Sequence, residues 1–160
     1  MNKIQVAIMM GSQSDLPTMQ EAADILKEFG VGCEMRVLSA HRTPKETAEY
    51  AESLKDRGVK IVICGAGGSA ALAGVVAAHT ILPVIGIPIE TTAINGMDSL
   101  LSTVQMPPGV PVATVAIGKP GAKNAGILAL RILGVSDKKI QNKLETYKEE
   151  QRQKILKIKI

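Results

Sequence analysis

The sequence predicts an α/β fold, a parallel sheet covered by helices on both faces. Two observations carry this. Short strand-like runs alternate with helix-length segments along almost the whole chain, which at this spacing means right-handed βαβ units. The strand-like runs are also near-continuous in apolar residues rather than alternating, as suits strands buried on both faces.

The strands are expected at Gln5–Met9, Cys33–Leu38, Lys60–Cys64, Pro83–Ile87 and Val110–Ile117. The first helix, Leu16–Phe29, sets Met19, Ala22, Ala23, Leu26 and Phe29 on one face and stops at Gly30, a natural helix terminator. Pro44–Arg57 opens with Pro at the first helical position behind Thr43, and Glu46 completes a T-x-x-E capping box before the stop at Gly58. Ala70–His79, Gly96–Gln105 and Lys123–Leu133 supply three more helices. From Ser136 to Ile160 runs a long charged helix with a thin apolar stripe of Ile140, Leu144, Tyr147 and Ile155. Such a helix either packs back on its own domain or docks on a neighbouring subunit. With no repeat, linker or low-complexity segment, we expect one domain over 1–160, an α/β core to 134 and a C-terminal helix over 135–160.

Composition narrows the function classes. The chain has 160 residues, 46% hydrophobic and 21% charged, with one Phe, two Tyr and no Trp. The core is therefore aliphatic, and a single-strand nucleic-acid surface, which needs stacking rings, is disfavoured. The net charge of +4 sits in the tail: residues 138–160 hold eight Lys/Arg against three Glu, leaving eleven against twelve in the rest. A solvated helix face is preferred to a nucleic-acid patch. Cys33 and Cys64 show neither metal-ligand spacing nor a disulfide framework and read as buried free thiols in a reducing compartment. With no secretory signal and no apolar run near the ~18 residues of a membrane span, the expectation is a cytoplasmic protein without a membrane partner.

In parallel sheets of this kind, ligands bind beyond the carboxyl ends of the strands. The first strand ends there in Gly11-Ser12-Gln13-Ser14-Asp15, directly before a helix. Ser12, Ser14 and free backbone N–H groups make an anion site, while Asp15 suits ribose hydroxyls or a plain N-cap. The second strand ends in Ser39-Ala40-His41-Arg42-Thr43-Pro44. Arg42 offers a fork of donors for a phosphate or carboxylate, and His41 can give and take a proton near neutral pH. The third strand ends in Gly65-Ala66-Gly67-Gly68-Ser69-Ala70-Ala71-Leu72, where bare backbone admits a ligand closely. The glycine spacing is not G-x-G-x-x-G and no acidic residue ends the second strand, so a nicotinamide cofactor is disfavoured. Two further polar stretches, 95–107 and 118–125, lie before and after the fifth strand. Their convergence with the other loops points to a site for a phosphorylated small molecule, with one histidine to move protons.

At these residues the sequence resembles the PurE family, in its class I branch. The matching blocks are GSxSD at 11–15, SAHRTP at 39–44, GAGG at 65–68, DSLLSxVQMP at 98–107, GVPVAT at 109–114 and AIGKxGAxNA at 116–125. The resemblance covers the chain to about Gly134. It implies a three-layer α/β/α sandwich, flavodoxin- or Rossmann-like, assembled as a homo-octamer with active sites at subunit contacts. It implies a step of de novo purine biosynthesis in which a carboxylate moves from nitrogen to carbon of an aminoimidazole ribonucleotide, the N5-carboxyaminoimidazole ribonucleotide mutase reaction, with no metal and no organic cofactor. His41 matches the catalytic histidine. Ser12, Asp15 and Arg42 match nucleotide-binding positions, with Ser14, Ser39, Gly67, Gly68, Ser69 and Leu72 completing the expected substrate site.

The third loop departs from the family pattern. GAGGAAHLPG is usual, whereas this chain reads GAGGSAALAG, placing Ala71 where a second histidine is expected and Ala73 where a proline is. The competing readings are direct carboxylation of aminoimidazole ribonucleotide by CO2, the class II activity, and a non-catalytic nucleotide-binding relative. A flavin-binding protein fits the alternation but lacks rings to stack on the cofactor.

Overall fold

In the computed structural model, which describes residues 3–91 and 94–159, the strand–helix alternation is realised as a single parallel sheet. The elements are β1 (Ile4–Met10), α1 (Leu16–Glu28), β2 (Gly32–Val37), α2 (Pro44–Ser53), β3 (Ile61–Gly67), α3 (Leu72–His79), β4 (Val84–Ile89), α4 (Met97–Val104), β5 (Ala113–Thr114), α5 (Gly118–Gly134) and α6 (Lys138–Leu156). The strand order is β2-β1-β3-β4-β5 and each neighbouring pair is parallel. The order reverses direction between β1 and β3, which opens a crevice at their carboxyl ends.

Side chains alternate across the sheet and fill a layer on each face. Val6, Ile8, Met10, Ile61, Ile63, Ile85 and Ile87 pack under α1 and α5, while Ala7, Met9, Val62, Cys64 and Val84 pack under α2 and α3. The expected three-layer sandwich is thus present. Small residues let α1 and α5 approach closely: a Cβ on Gly126 would lie 3.1 Å from the Ala22 carbonyl oxygen. The edge strand β2 is only half-buried, so Cys33 is partly exposed, whereas Cys64 is fully buried. A polar clasp ties β2 to α2. The Tyr50 hydroxyl donates to Glu34 Oε1 at 2.7 Å, and Arg57 pairs with the same oxygen while its guanidinium lies 5.5 Å from the Tyr50 ring centre.

Four local expectations need correction. α2 ends at Ser53, four residues before Arg57, and the chain continues as turns to Gly58, where φ is +82°. The fifth strand pairs only at Ala113–Thr114, not over 110–117, because Pro107, Pro108 and Pro111 lack donors and Gly109 sits at φ +94°. α5 begins at Gly118, five residues before the expected start, so the stretch read as a polar loop is helix. Pro120 is tolerated in the first turn, where no N–H is needed, and a Cβ on Gly121 would overlap the Ala116 carbonyl. Thr43 does not cap α2. Its hydroxyl donates to the Ser39 carbonyl at 3.0 Å and accepts the Ser39 N–H at 2.9 Å, closing the preceding loop instead.

α6 follows the first of its two expected courses over about its first half. Asp137 caps it, Ile140 is buried, and Leu144 and Tyr147 pack against the core, with Tyr147 edge-on to Phe29 at 5.8 Å. Lys143 Nζ donates to the Phe29 carbonyl at 2.8 Å and so satisfies the end of α1. Past that point Ile155, Leu156 and Ile158 are exposed. Ile160, the last residue of the expected helix, lies outside the described residues.

Candidate active site

The loop after β1 is organised as a capping box. The Ser12 N–H donates to Asp15 Oδ2 at 3.0 Å, Ser12 Oγ accepts the Ser14 N–H at 3.3 Å, and the Ser14 hydroxyl donates to Ser12 Oγ at 2.9 Å. Asp15 therefore serves the backbone turn even as it faces the crevice. Burial holds its carboxyl above the usual carboxylate range, against the opposing pull of the Ser12 N–H, the Ser14 hydroxyl and the Arg42 charge.

The loop after β2 carries His41 and Arg42 on a turn closed by the Ser39–Thr43 pair. Arg42 is braced across the crevice. Its Nη2 donates to the Gly11 carbonyl at 2.8 Å and its Nε to Ser39 Oγ at 3.3 Å. Three further guanidinium donors remain for an anion. His41, on the exposed turn beside it, is free to meet a ligand entering from solvent.

The loop after β3 provides the floor. A Cβ on Gly67 would stand 3.0 Å from Thr91 Cγ2 and 3.3 Å from the Ile89 carbonyl, so a side chain there would have to displace its neighbours. Gly68 is needed for its backbone, at φ +64°, rather than for space. α3 then begins at Leu72 behind Ala71, whose methyl cannot cap it.

These loops enclose a cleft of about 410 Å³. Ser12, Ser14, Asp15, Ser39, His41 and Arg42 line one side, and Gly67, Ser69 and Leu72 the other. Of the expected substrate-site residues only Gly68 does not line it, since it turns the chain behind Gly67. Anion donors, a carboxylate and an imidazole thus share one open space at the switch point of a parallel sheet. That constellation suits a phosphorylated small molecule.

The sequence profile of the AIR carboxylase family matches residues 5–154. The chain belongs to that family. It is 56% identical to a protein of Vibrio parahaemolyticus named N5-carboxyaminoimidazole ribonucleotide mutase, over 96% of this chain and 95% of the relative. A Bacillus subtilis protein of the same name is also 56% identical, over 94% of this chain and 93% of its own. Among solved structures, Treponema denticola PurE superposes with a TM-score of 0.85 at 34% identity, covering 95% of this chain and 94% of that one.

Within this AIR carboxylase family member, the sequence reading missed Thr91, which lines the cleft from the end of β4. The rule that found the other loops would have found it, but Glu90, Thr91 and the residues directly after them include no glycine, histidine or arginine to draw attention, the first glycine being Gly96. The two polar stretches near β5 play other parts than loops of the site. Residues 118–125 open α5, and 97–104 form α4, whose Asp98 accepts the Thr91 hydroxyl at 2.9 Å. Ala71 also lines the cleft, presenting a methyl where the family pattern has its second histidine.

Proposed function

We propose that this protein is an N5-carboxyaminoimidazole ribonucleotide mutase of de novo purine biosynthesis, with His41 as its acid and base. The observation that carries the reading is the cleft itself. It joins His41 to an arginine braced between two loops and to a glycine floor, in a chain more than half identical to relatives bearing that name.

The roles follow from the chemistry of each group. Arg42, with Ser12, Ser14 and Ser39, holds the phosphate, and Asp15 takes ribose hydroxyls through the carboxylate face that its cap leaves open. The Gly67 backbone and Ser69 contact the ring, Gly68 supplies the turn that sets them, and Leu72 excludes water. The carbamate N–C bond breaks and releases CO2, and imidazolium His41 gives its proton to the exocyclic nitrogen. C4 of the electron-rich ring then attacks the captured CO2, and the neutral imidazole removes the C4 proton. The histidine ends in its starting state and no net proton is consumed. Holding CO2 beside C4 requires this open cleft to be closed, which a neighbouring subunit at its mouth would do. A positioned proton shuttle of this kind contributes about 10²–10⁴-fold.

The same reading includes a homo-octamer with sites at subunit contacts and a cytoplasmic setting. Exposed Met97, Leu101 and Val104 on one face of α4, and Ile155 and Leu156 at the end of α6, support subunit contacts. The free thiols of Cys33 and Cys64 agree with a reducing compartment.

The test is an assay with N5-carboxyaminoimidazole ribonucleotide in buffer stripped of bicarbonate. Conversion to the 4-carboxy isomer is expected, and it would show that Ala71 is compatible with turnover. Carboxylation of aminoimidazole ribonucleotide only when CO2 is added would overturn the mutase reading.

A further inference from the structure

The residues around Thr91 form a second recognition element that the roles above leave unused. Thr91 follows β4, one strand beyond the glycine floor, and lines the cleft. Both branches of its side chain are placed. Its methyl packs over Gly67, 3.0 Å from where a Cβ would stand, and its hydroxyl donates to Asp98 Oδ2 at 2.9 Å. Asp98 is itself held in position: its Oδ1 accepts the Ser99 N–H at 2.9 Å, and the Ser99 hydroxyl donates to the Ile89 carbonyl at 2.7 Å at the end of the same strand. The Ser99 N–H above all, with the Thr91 and Ser99 hydroxyls, keeps the Asp98 carboxyl below its ordinary range and therefore anionic at neutral pH.

An anionic carboxylate can only accept, so the single hydroxyl proton of Thr91 is committed to it. What Thr91 offers a ligand is then an acceptor, a lone pair of Oγ1. The partner must be a donor. On the mutase reading the ring lies against the Gly67 floor, and Thr91, packed on Gly67 from the next strand, stands beside it.

We propose that Thr91 is a substrate-binding residue that accepts a hydrogen bond from the exocyclic amino group of the aminoimidazole ring, and that Asp98 is the positioning residue that orients it. The contact would hold the nitrogen that loses the carbamate at a set distance from the floor and from His41. This inference rests on the mutase reading above, and the experiment separates the two.

Wild type, Thr91→Val, Thr91→Ser and Asp98→Asn are compared in three measurements: kcat and KM with N5-carboxyaminoimidazole ribonucleotide, calorimetric Kd for aminoimidazole ribonucleotide and for ribose 5-phosphate, and melting temperature. Valine keeps the methyl over Gly67 and removes the hydroxyl. Thr91→Val is expected to weaken aminoimidazole ribonucleotide binding and lower kcat/KM by about tenfold, the worth of one hydrogen bond to a neutral acceptor. Ribose 5-phosphate, which lacks the ring, should bind unchanged. Thr91→Ser should restore most of the loss, and Asp98→Asn should reproduce part of it, with melting temperatures close to wild type. Equal binding by wild type and Thr91→Val would overturn the proposal, as would a serine variant as impaired as valine, which would reduce Thr91 to packing. An equal loss for ribose 5-phosphate would move the contact to the sugar and overturn the assignment to the ring. A wild type that binds aminoimidazole ribonucleotide without turning over its carboxylated form would sink the mutase reading alone, since the binding measurements still decide the role of Thr91.

Discussion

His41 and Asp15 show how differently two polar residues can be held in one cleft. His41 stands on an exposed turn with its ring available, whereas Asp15 is built into the backbone turn after β1. His41→Asn keeps a polar side chain of similar reach but removes the proton shuttle. It should lower kcat by about 10²–10⁴-fold while substrate Kd changes little, as single-turnover kinetics and calorimetry would show. For Asp15 the raised carboxyl pKa has a stability consequence. Above the unfolded pKa the ionised group favours the unfolded chain, and that cost disappears as pH falls through the higher folded value. Asparagine keeps an oxygen for the Ser12 N–H but carries no charge. Asp15→Asn should therefore melt at the same or a higher temperature than wild type at pH 7, while binding the ribonucleotide more weakly. A lower melting temperature would show that the charge contributes to the fold after all.

Elements are joined by contacts that their own sequences do not announce. The early start of α5 depends on Gly121, where a methyl would overlap the Ala116 carbonyl of the chain entering the helix. Gly121→Ala should cost about 1–3 kcal/mol or more in urea unfolding, through displacement of the first turn. A smaller loss would mean that the turn has room to relax. The clasp of β2 to α2 makes a pH-dependent prediction. Burial pushes the Glu34 carboxyl up, but hydrogen bonds from Arg57 and Tyr50 and the charges of Arg57 and Arg36 outweigh it and leave it below its usual range. Its contribution is thus complete above the unfolded value of 4.5 and is lost as pH falls through the lower folded value. Glu34→Gln should destabilise by about 1 kcal/mol at pH 7, and by much less once pH has fallen below the lowered folded value. A difference that persists in acid would assign the effect to packing rather than charge.

At the scale of the whole molecule, exposed apolar side chains among the described residues cluster on one face of α4 and at the end of α6, while Leu16, Val37, Ile81 and Val135 are scattered elsewhere. The residues that fasten α6 to its own domain, Ile140, Leu144 and Tyr147, all precede Lys148. Deleting residues 151–160 should therefore leave the thermal stability of the isolated subunit nearly unchanged. Light scattering should nevertheless report a smaller assembly, if Ile155, Leu156 and Ile158 cover a neighbouring copy. An unchanged mass would confine subunit contacts to α4 and other surfaces.

The sequence by itself determined the strand–helix alternation, most helix ends, the aliphatic core and the edge of the sheet where ligands bind. These depend on short-range causes: apolar periodicity, a glycine such as Gly30 at positive φ just after α1, and polar residues placed just after apolar strands. His41, Arg42 and the serines of the first loop were legible for that reason. What only the tertiary structure decided are partnerships between distant segments: Arg42 on the Gly11 carbonyl, Thr91 on Asp98 and against Gly67, and Glu34 shared by Tyr50 and Arg57. Thr43 shows the same limit within one loop, because its hydroxyl had two local partners and closed the loop rather than capping α2. Such choices follow from the strand order β2-β1-β3-β4-β5, which sets which loops become neighbours. Periodicity along the chain does not encode that order. It is settled by which buried faces and hydrogen-bonding groups can all be satisfied at once.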